Sequence, residues 1–212
     1  VLKEDFVPAE ADRFLFLLAP VVSLVATLLV VAALPLSPVL QGMDPSIGVL
    51  YISAVSAGGV IGILLAGWSS NNKWSLLGAM RAGAQIISYE ISATLALLVA
   101  VLFSGTLRLS EIIQSQADGW WIWRGHGICF IGFVIFLIAS VAEINRTPFD
   151  LAEGESELTG GFHTEYAGIR WSFFFLSEFV NMFIVSAMAA TLFFGGLMPF
   201  HIGHWQSFNT IM

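Results

Sequence analysis

Five stretches of the chain, at 14–36, 47–68, 76–103, 126–143 and 171–198, are apolar over lengths near the roughly 20 residues that a helix needs to cross a bilayer. In hydrocarbon every backbone polar group must be bonded internally, so such stretches fold as membrane-spanning helices. The expected fold is therefore an all-α integral membrane protein of about five transmembrane helices. It forms a single transmembrane domain over residues 1–212, with an acidic loop between the fourth and fifth spans. The fourth stretch is short for a crossing and the third is long. Composition agrees: 57% of residues are hydrophobic and 11% are charged, whereas soluble domains carry about 25% charge. A net charge of −7 disfavours nucleic acid as a partner, because phosphate binding needs a basic face. One cysteine, Cys129, excludes an internal disulfide and a paired-cysteine metal site.

Pro35, Pro38 and Pro45 punctuate the first connection, and Ser69-Ser70-Asn71-Asn72-Lys73 marks the second. Residues 1–13 mix acids and bases and read as a loop entering the first span. With an odd number of spans, Lys3, Arg13, Lys73, Arg146 and Arg170 share one side, and Arg108 and Arg124 lie on the other. The excess of Lys and Arg predicts that the first side is cytoplasmic or matrix. Trp120, Trp121 and Trp123 fall at the opposite interface, where an aromatic belt is expected. In the second span Ala54, Gly58, Gly62 and Ala66 recur every fourth residue. Such a ridge of small side chains lets another helix approach closely.

Charges within the spans are the candidate functional groups. Arg81, Glu90 and Glu178 fall inside predicted spans, and Glu143 ends one. An isolated mid-bilayer charge costs about 2.5–3.5 kcal/mol on the insertion scale, so such groups face protein or a hydrated cavity. Arg81 and Glu90 are nine residues apart, which places them about 180° apart around a helix and about 13 Å apart along it. They do not pair with each other. Carboxyls held away from water, without a fixed cation, exchange protons nearer neutral pH. With Gln85, Ser88, Tyr89 and Asn181 nearby in sequence, the acids predict a polar pathway; a static salt bridge or polar helix contact is the plainer reading.

The loop after the fourth span is denser still. Asp150, Glu153 and Glu157 are spaced to stack on one helical face, where like charges repel. Arg146 and Arg170 stand there against six acids, counting Glu143. Such a loop is either simply solvated or built to share protons or meet cations of another chain. His201-Ile202-Gly203-His204 follows a span rather than a nucleotide-binding pattern and carries no nucleotide or metal assignment. Asn145-Arg146-Thr147 is a formal glycosylation sequon on the predicted cytoplasmic side, and no glycine-rich nucleotide motif is present.

Three blocks of this sequence resemble the H subunit of NADH–quinone oxidoreductase, the complex I membrane subunit beside the peripheral arm. One is the loop itself: Glu143-Ile-Asn-Arg-Thr-Pro-Phe-Asp-Leu, Glu153-Gly-Glu-Ser-Glu-Leu and Gly161-Phe-His-Thr-Glu-Tyr-Ala-Gly-Ile-Arg. The second runs Gly67-Trp-Ser-Ser-Asn-Asn-Lys-Trp-Ser-Leu-Leu-Gly-Ala-Met-Arg-Ala-Gly-Ala-Gln and continues to Ser88-Tyr89-Glu90. The third is the entry Lys3-Glu4-Asp5-Phe6-Val7-Pro8. The match covers roughly residues 2–198. Gly154 and Thr159-Gly160-Gly161 depart from the commoner loop spelling, and neither departure removes an acid.

The resemblance implies a family of about eight transmembrane helices, of which this chain matches the second to sixth; the first helix, which would line the quinone portal, and the last two lie outside it. It implies that Glu143, Asp150, Glu153, Glu155, Glu157 and Glu165, with Glu90, Glu178 and Arg81, form a proton or charge route from the quinone chamber towards antiporter-like subunits. Arg146, Phe149, Phe162, His163 and Arg170 would belong to the chamber loop. Quinone would be the substrate. Flavin, metal and iron–sulfur clusters would sit on other subunits, with none bound by this chain. The implied partners are the peripheral-arm quinone module, the antiporter-like membrane subunits and the lipid bilayer. The implied location is a bacterial inner membrane or an organellar inner membrane. Alternatives are the equivalent subunit of a membrane-bound hydrogenase or other electron-input complex, a stand-alone proton-coupled transporter, and a structural anchor for the peripheral arm.

Overall fold

A computed structural model describes residues 7–37, 41–150 and 160–197. All regular structure among them is helical: α1 (Arg13–Ala33), α2 (Gly48–Ser69), α3 (Lys73–Ser104), α4 (Leu109–Gln114), α5 (Trp121–Arg124), α6 (Ile128–Glu143), a 3-10 turn (Gly161–His163) and α7 (Gly168–Phe193). Four helices, α1, α2, α3 and α7, are long and apolar enough to cross a membrane, and α6 is a shorter apolar helix. The chain is thus an all-α, multi-pass membrane protein of about five helices. At 16 residues, α6 covers only about 24 Å of a hydrocarbon layer about 30 Å thick. His126 and Gly127 adopt left-handed backbone (φ 50° and 82°) and separate α6 from α5. The short turn α5 lies before this break, and α6 alone is the apolar helix of the fourth stretch.

Local sequence starts and stops each helix. The Asp12 carboxylate accepts from the backbone N–H of Phe14 (3.1 Å) and Leu15 (3.3 Å), an N-cap that satisfies donors left open at the start of α1. The Asp12 N–H donates to the Ser69 carbonyl at 3.1 Å, tying the start of α1 to the end of α2. Asn72 caps α3 through Trp74 N–H (3.0 Å), and Gly105, at φ 73°, ends it.

The small-residue ridge of α2 packs on α1. A Cβ at Gly62 would stand 2.9 Å from Ser23 Cβ and 3.0 Å from the Ala19 carbonyl oxygen, so only glycine admits this approach. Ala66 is fully buried and a Cβ at Gly58 would touch Ala26, whereas Ala54 lies on the exposed face, so the contact runs from Gly58 to Ala66. Outside these seams the large apolar side chains point outward: Leu28, Ile61, Ile91, Leu102, Ile131 and Phe183 are all at least half exposed. In water such a surface would aggregate; in lipid it is the expected exterior.

The end carrying residues 34–37, 41–48 and 105–127 is closed by polar ties. Ser110 donates to Asp44 (2.6 Å), Arg108 lies 3.3 Å from Glu111, and buried Gln116 donates to the Thr191 carbonyl (2.9 Å). The tryptophans at this end divide. Trp123 is 72% exposed, as an interfacial belt residue should be, but Trp121 is buried beside Phe103, and Trp120 meets Phe194 edge-on. Periodicity could not separate them, because α5 is a single turn whose orientation is set by what it packs against.

Candidate functional site

Two small cavities lie between the helices, the first towards the opposite end and the second deeper in the bundle, reaching Ile52, Leu97 and Met188. One, of about 50 Å³, is walled by Ser23, Ser56, Phe162, Ser177, Glu178 and Asn181, with Glu143 and Asn145 on the α6 side. The other, of about 40 Å³, is reached by Ser53, Ser56, Glu90, Thr94 and Glu143. Glu143 and Ser56 line both. Each volume suits a few water molecules, at about 10–15 Å³ of such space per water; the first cavity has mixed polar and apolar walls, whereas the second is mainly apolar and offers partners only at Ser53, Ser56, Glu90, Thr94 and Glu143. The order is thus Glu178, first cavity, Glu143, second cavity, Glu90. Ser56 Oγ donates weakly to Glu90 (3.5 Å), and the Ser23 and Ser177 hydroxyls meet at 3.2 Å. Glu90 also acts electrostatically on Glu143.

Glu143 owes its place to the way α6 ends. Asn145 adopts the left-handed conformation (φ 49°). Its N–H bonds to the Ala142 carbonyl and that of Arg146 to the Val141 carbonyl, both at 3.3 Å. This is a Schellman termination with asparagine in the position glycine usually takes. It fixes the last turn, on which Glu143 stands, and turns the chain out towards the loop. Beyond it Arg146 lies 3.9 Å from Glu178 and 5.7 Å from the centre of the Phe179 ring. That ion pair is part-exposed, so it contributes at most about 1 kcal/mol. Phe149 packs on Tyr89 with ring centres 5.5 Å apart.

The segment after the acidic loop is sewn to the helix ends. Ser75 donates to the Phe162 carbonyl (2.9 Å), Asn72 to the Glu165 carboxylate (2.6 Å) and Tyr166 Oη to the Phe16 carbonyl (3.1 Å). Phe162 and Tyr166 meet Phe174 edge-on, and Tyr166 stacks on Phe16 at 4.1 Å. Burial pushes the Tyr166 hydroxyl up to about 12, against the opposing effects of Ser69 and Arg170, so it remains a donor throughout the neutral range. Burial lowers the His163 pKa, with Asp150 acting in the opposite sense. Arg170 sits 5.7 Å from the centre of the Phe16 ring.

Glu90, Glu143 and Glu178 therefore line one pair of adjoining cavities, with Arg146 and Phe162 at their edge. Asp150 and His163 interact just beyond. Glu165 stands apart, in a surface groove with Glu10 and Lys73. Arg81 is on the exposed face of α3 and lines neither cavity, as its separation of half a turn from Glu90 implies. Glu153, Glu155 and Glu157 lie outside the described residues. Among the described residues no three His, Cys, Asp or Glu side chains gather as a metal ion would require. The serines at 23, 53, 56 and 177 and Asn145 carry no mark in the sequence. Serine is ordinary in membrane helices, and nothing but tertiary packing singles out those that face a cavity.

The sequence model of the NADH dehydrogenase family matches residues 1–212, the whole chain. The chain belongs to this family. Among its relatives, the H subunit of NADH-quinone oxidoreductase from Bacteroides fragilis is 54% identical over 210 residues, covering 99% of this chain and 59% of that protein. The protein of the same name from Anoxybacillus flavithermus is 50% identical over 199 residues, covering 94% of this chain and 59% of its own length. The H 2 subunit of the same enzyme from Solibacter usitatus is 48% identical over 208 residues, covering 97% and 53%. The chain thus spans just under three-fifths of the length of these relatives. Membership of the NADH dehydrogenase family agrees with the resemblance seen in the loop and α3 blocks, and the names of the relatives do not favour the hydrogenase or transporter alternatives.

Proposed function

We propose that this chain is the core of the H subunit of a proton-pumping NADH–quinone oxidoreductase, where it carries part of a proton or charge route beside the quinone chamber. The observation that supports this reading is Glu143, which together with Ser56 lines both cavities and so stands between Glu178 and Glu90. Carboxyls that act on one another electrostatically, as Glu90 does on Glu143, titrate as a group rather than singly. A change of charge at a nearby quinone would shift the protonation of the set, and the cavities would supply water to carry the proton between members.

In this reading Asp150, Glu153, Glu155, Glu157 and Glu165 are the loop acids of the same route, with Arg81 a more remote cation on α3. Arg146, Phe149, Phe162, His163 and Arg170 shape the loop against the chamber. The loop faces the cytoplasm or matrix, where the excess of Lys and Arg places it. The peripheral quinone-module subunits cover this end, and antiporter-like subunits continue the membrane arm. Flavin and iron–sulfur chemistry belong to those partners; quinone is the substrate that this chain helps to enclose.

The test is Glu143→Gln in the assembled complex. Glutamine keeps the volume but neither loses nor gains a proton. Quinone-linked proton pumping is expected to fall at least tenfold, on the scale of removing a positioned acid–base group, while assembly stays near normal. Variants that assemble and pump at the wild-type rate would overturn the relay.

A further inference from the structure

The buried amide of Gln85, on α3, makes hydrogen bonds to both the last turn of α6 and the loop that follows. Its Nε2 lies 2.7 Å from the Ala142 carbonyl, 3.0 Å from Asn145 Oδ1 and 2.7 Å from the Phe149 carbonyl. An amide nitrogen carries two hydrogens, so three acceptors share two donors. The opposite amide orientation would set an oxygen against those three oxygens, so this one is fixed. Gln85 is 6% exposed, and its Oε1 has no protein partner. The three acceptors bracket Glu143. Ala142 precedes it, Asn145 forms the left-handed end of its helix, and Phe149 begins the acidic loop.

We propose that Gln85 is a positioning residue for Glu143, holding the end of α6 so that this carboxyl faces both cavities at once. The proposal rests on the relay reading for its functional consequence and on geometry alone for the positioning itself. Without the Gln85 donors, the Ala142 and Phe149 carbonyls and the Asn145 amide lose their bonds to α3, while the apolar packing of α6 on α3 remains. The Schellman bonds still close the last turn, but its position against α3 is no longer pinned, and a small shift takes Glu143 off one cavity or the other.

Gln85→Met keeps the side-chain volume and removes the donors. In the assembled complex it is expected to shift the infrared carboxyl band that Glu143→Gln abolishes. It should also lower the turnover of quinone-linked pumping about tenfold or more, the scale of a catalytic group misplaced by roughly 1 Å. Added to Glu143→Gln, Gln85→Met should cost no further turnover, because two residues acting through one group are not additive. Asn145→Gly keeps the left-handed turn, deletes one acceptor, and should produce a smaller change of the same kind. It carries the test if Gln85→Met does not assemble. An unaltered Glu143 band in the assembled variant overturns the positioning role, and so do additive losses in the double variant. Wild-type pumping by Glu143→Gln overturns the relay instead and leaves the infrared test standing.

Discussion

Removing the hydroxyl of Tyr166 should cost more than an ordinary hydrogen bond, and the reason lies in α1. Pro20 is inside that helix, buried, and has no N–H. The residue four positions earlier is Phe16, whose carbonyl therefore lacks the helical donor that every neighbouring carbonyl has. Phe16 is fully buried, so water cannot replace that donor. Tyr166 Oη supplies it across the seam between α1 and the loop, at 3.1 Å. In Tyr166→Phe the ring still stacks on Phe16, and the main loss is this one bond; the contact with the Ser69 hydroxyl, at 3.5 Å, is weak. A buried carbonyl left without a partner costs about 1–3 kcal/mol. That corresponds to a fall of roughly 2–12 °C in the unfolding midpoint of a chain this size. In a Pro20→Ala background the helix provides its own N–H to the Phe16 carbonyl. There the same Tyr166→Phe change should cost only about 0.5 kcal/mol, the low end for a bond whose acceptor is otherwise satisfied. The four proteins of this cycle, unfolded thermally in mild detergent, give the coupling directly. Equal losses in both backgrounds would refute the argument that Tyr166 replaces a donor missing from α1.

Two further outcomes follow from the same end of the molecule. A Cβ added at Gly78 would lie 2.7 Å from Gly161 Cα and 2.9 Å from the Phe162 nitrogen, both backbone atoms. Gly78→Ala should therefore destabilise by about 1–3 kcal/mol despite its better helix propensity, whereas Gly59→Ala, with nothing within 4 Å, should be neutral or stabilising; midpoints that do not separate the two would contradict the packing described. Because burial lowers the His163 pKa from 6.5, the unfolded chain binds its proton first. This histidine then contributes stability above about pH 6.5 that is lost as the pH falls through its folded value. The unfolding midpoint of the wild type should drop more steeply between about pH 7 and pH 5 than that of His163→Gln, and parallel curves would exclude the effect.

The apolar stretches determined the helical class by themselves, because length and hydropathy are properties of a segment and need no partner. The same holds for the helix ends: Asp12 and Asn72 cap through bonds to their own neighbours, and Gly105 needs only its own backbone freedom. Glu90, Glu143 and Glu178 were legible as anomalies, since a carboxylate in an apolar run stands out without any knowledge of its surroundings. Only the tertiary structure decided that these three line adjoining cavities while Arg81, equally anomalous, faces outward. Ser56 and Gln85 gained their meaning in the same way. Serine and glutamine carry no charge to mark them; Ser56 matters because it faces both cavities and meets Glu90 of α3, and Gln85 because the end of α6 and the loop bring three acceptors to its amide. A one-dimensional pattern records which side a residue has on its own helix; which neighbour meets that side is set by packing across helices.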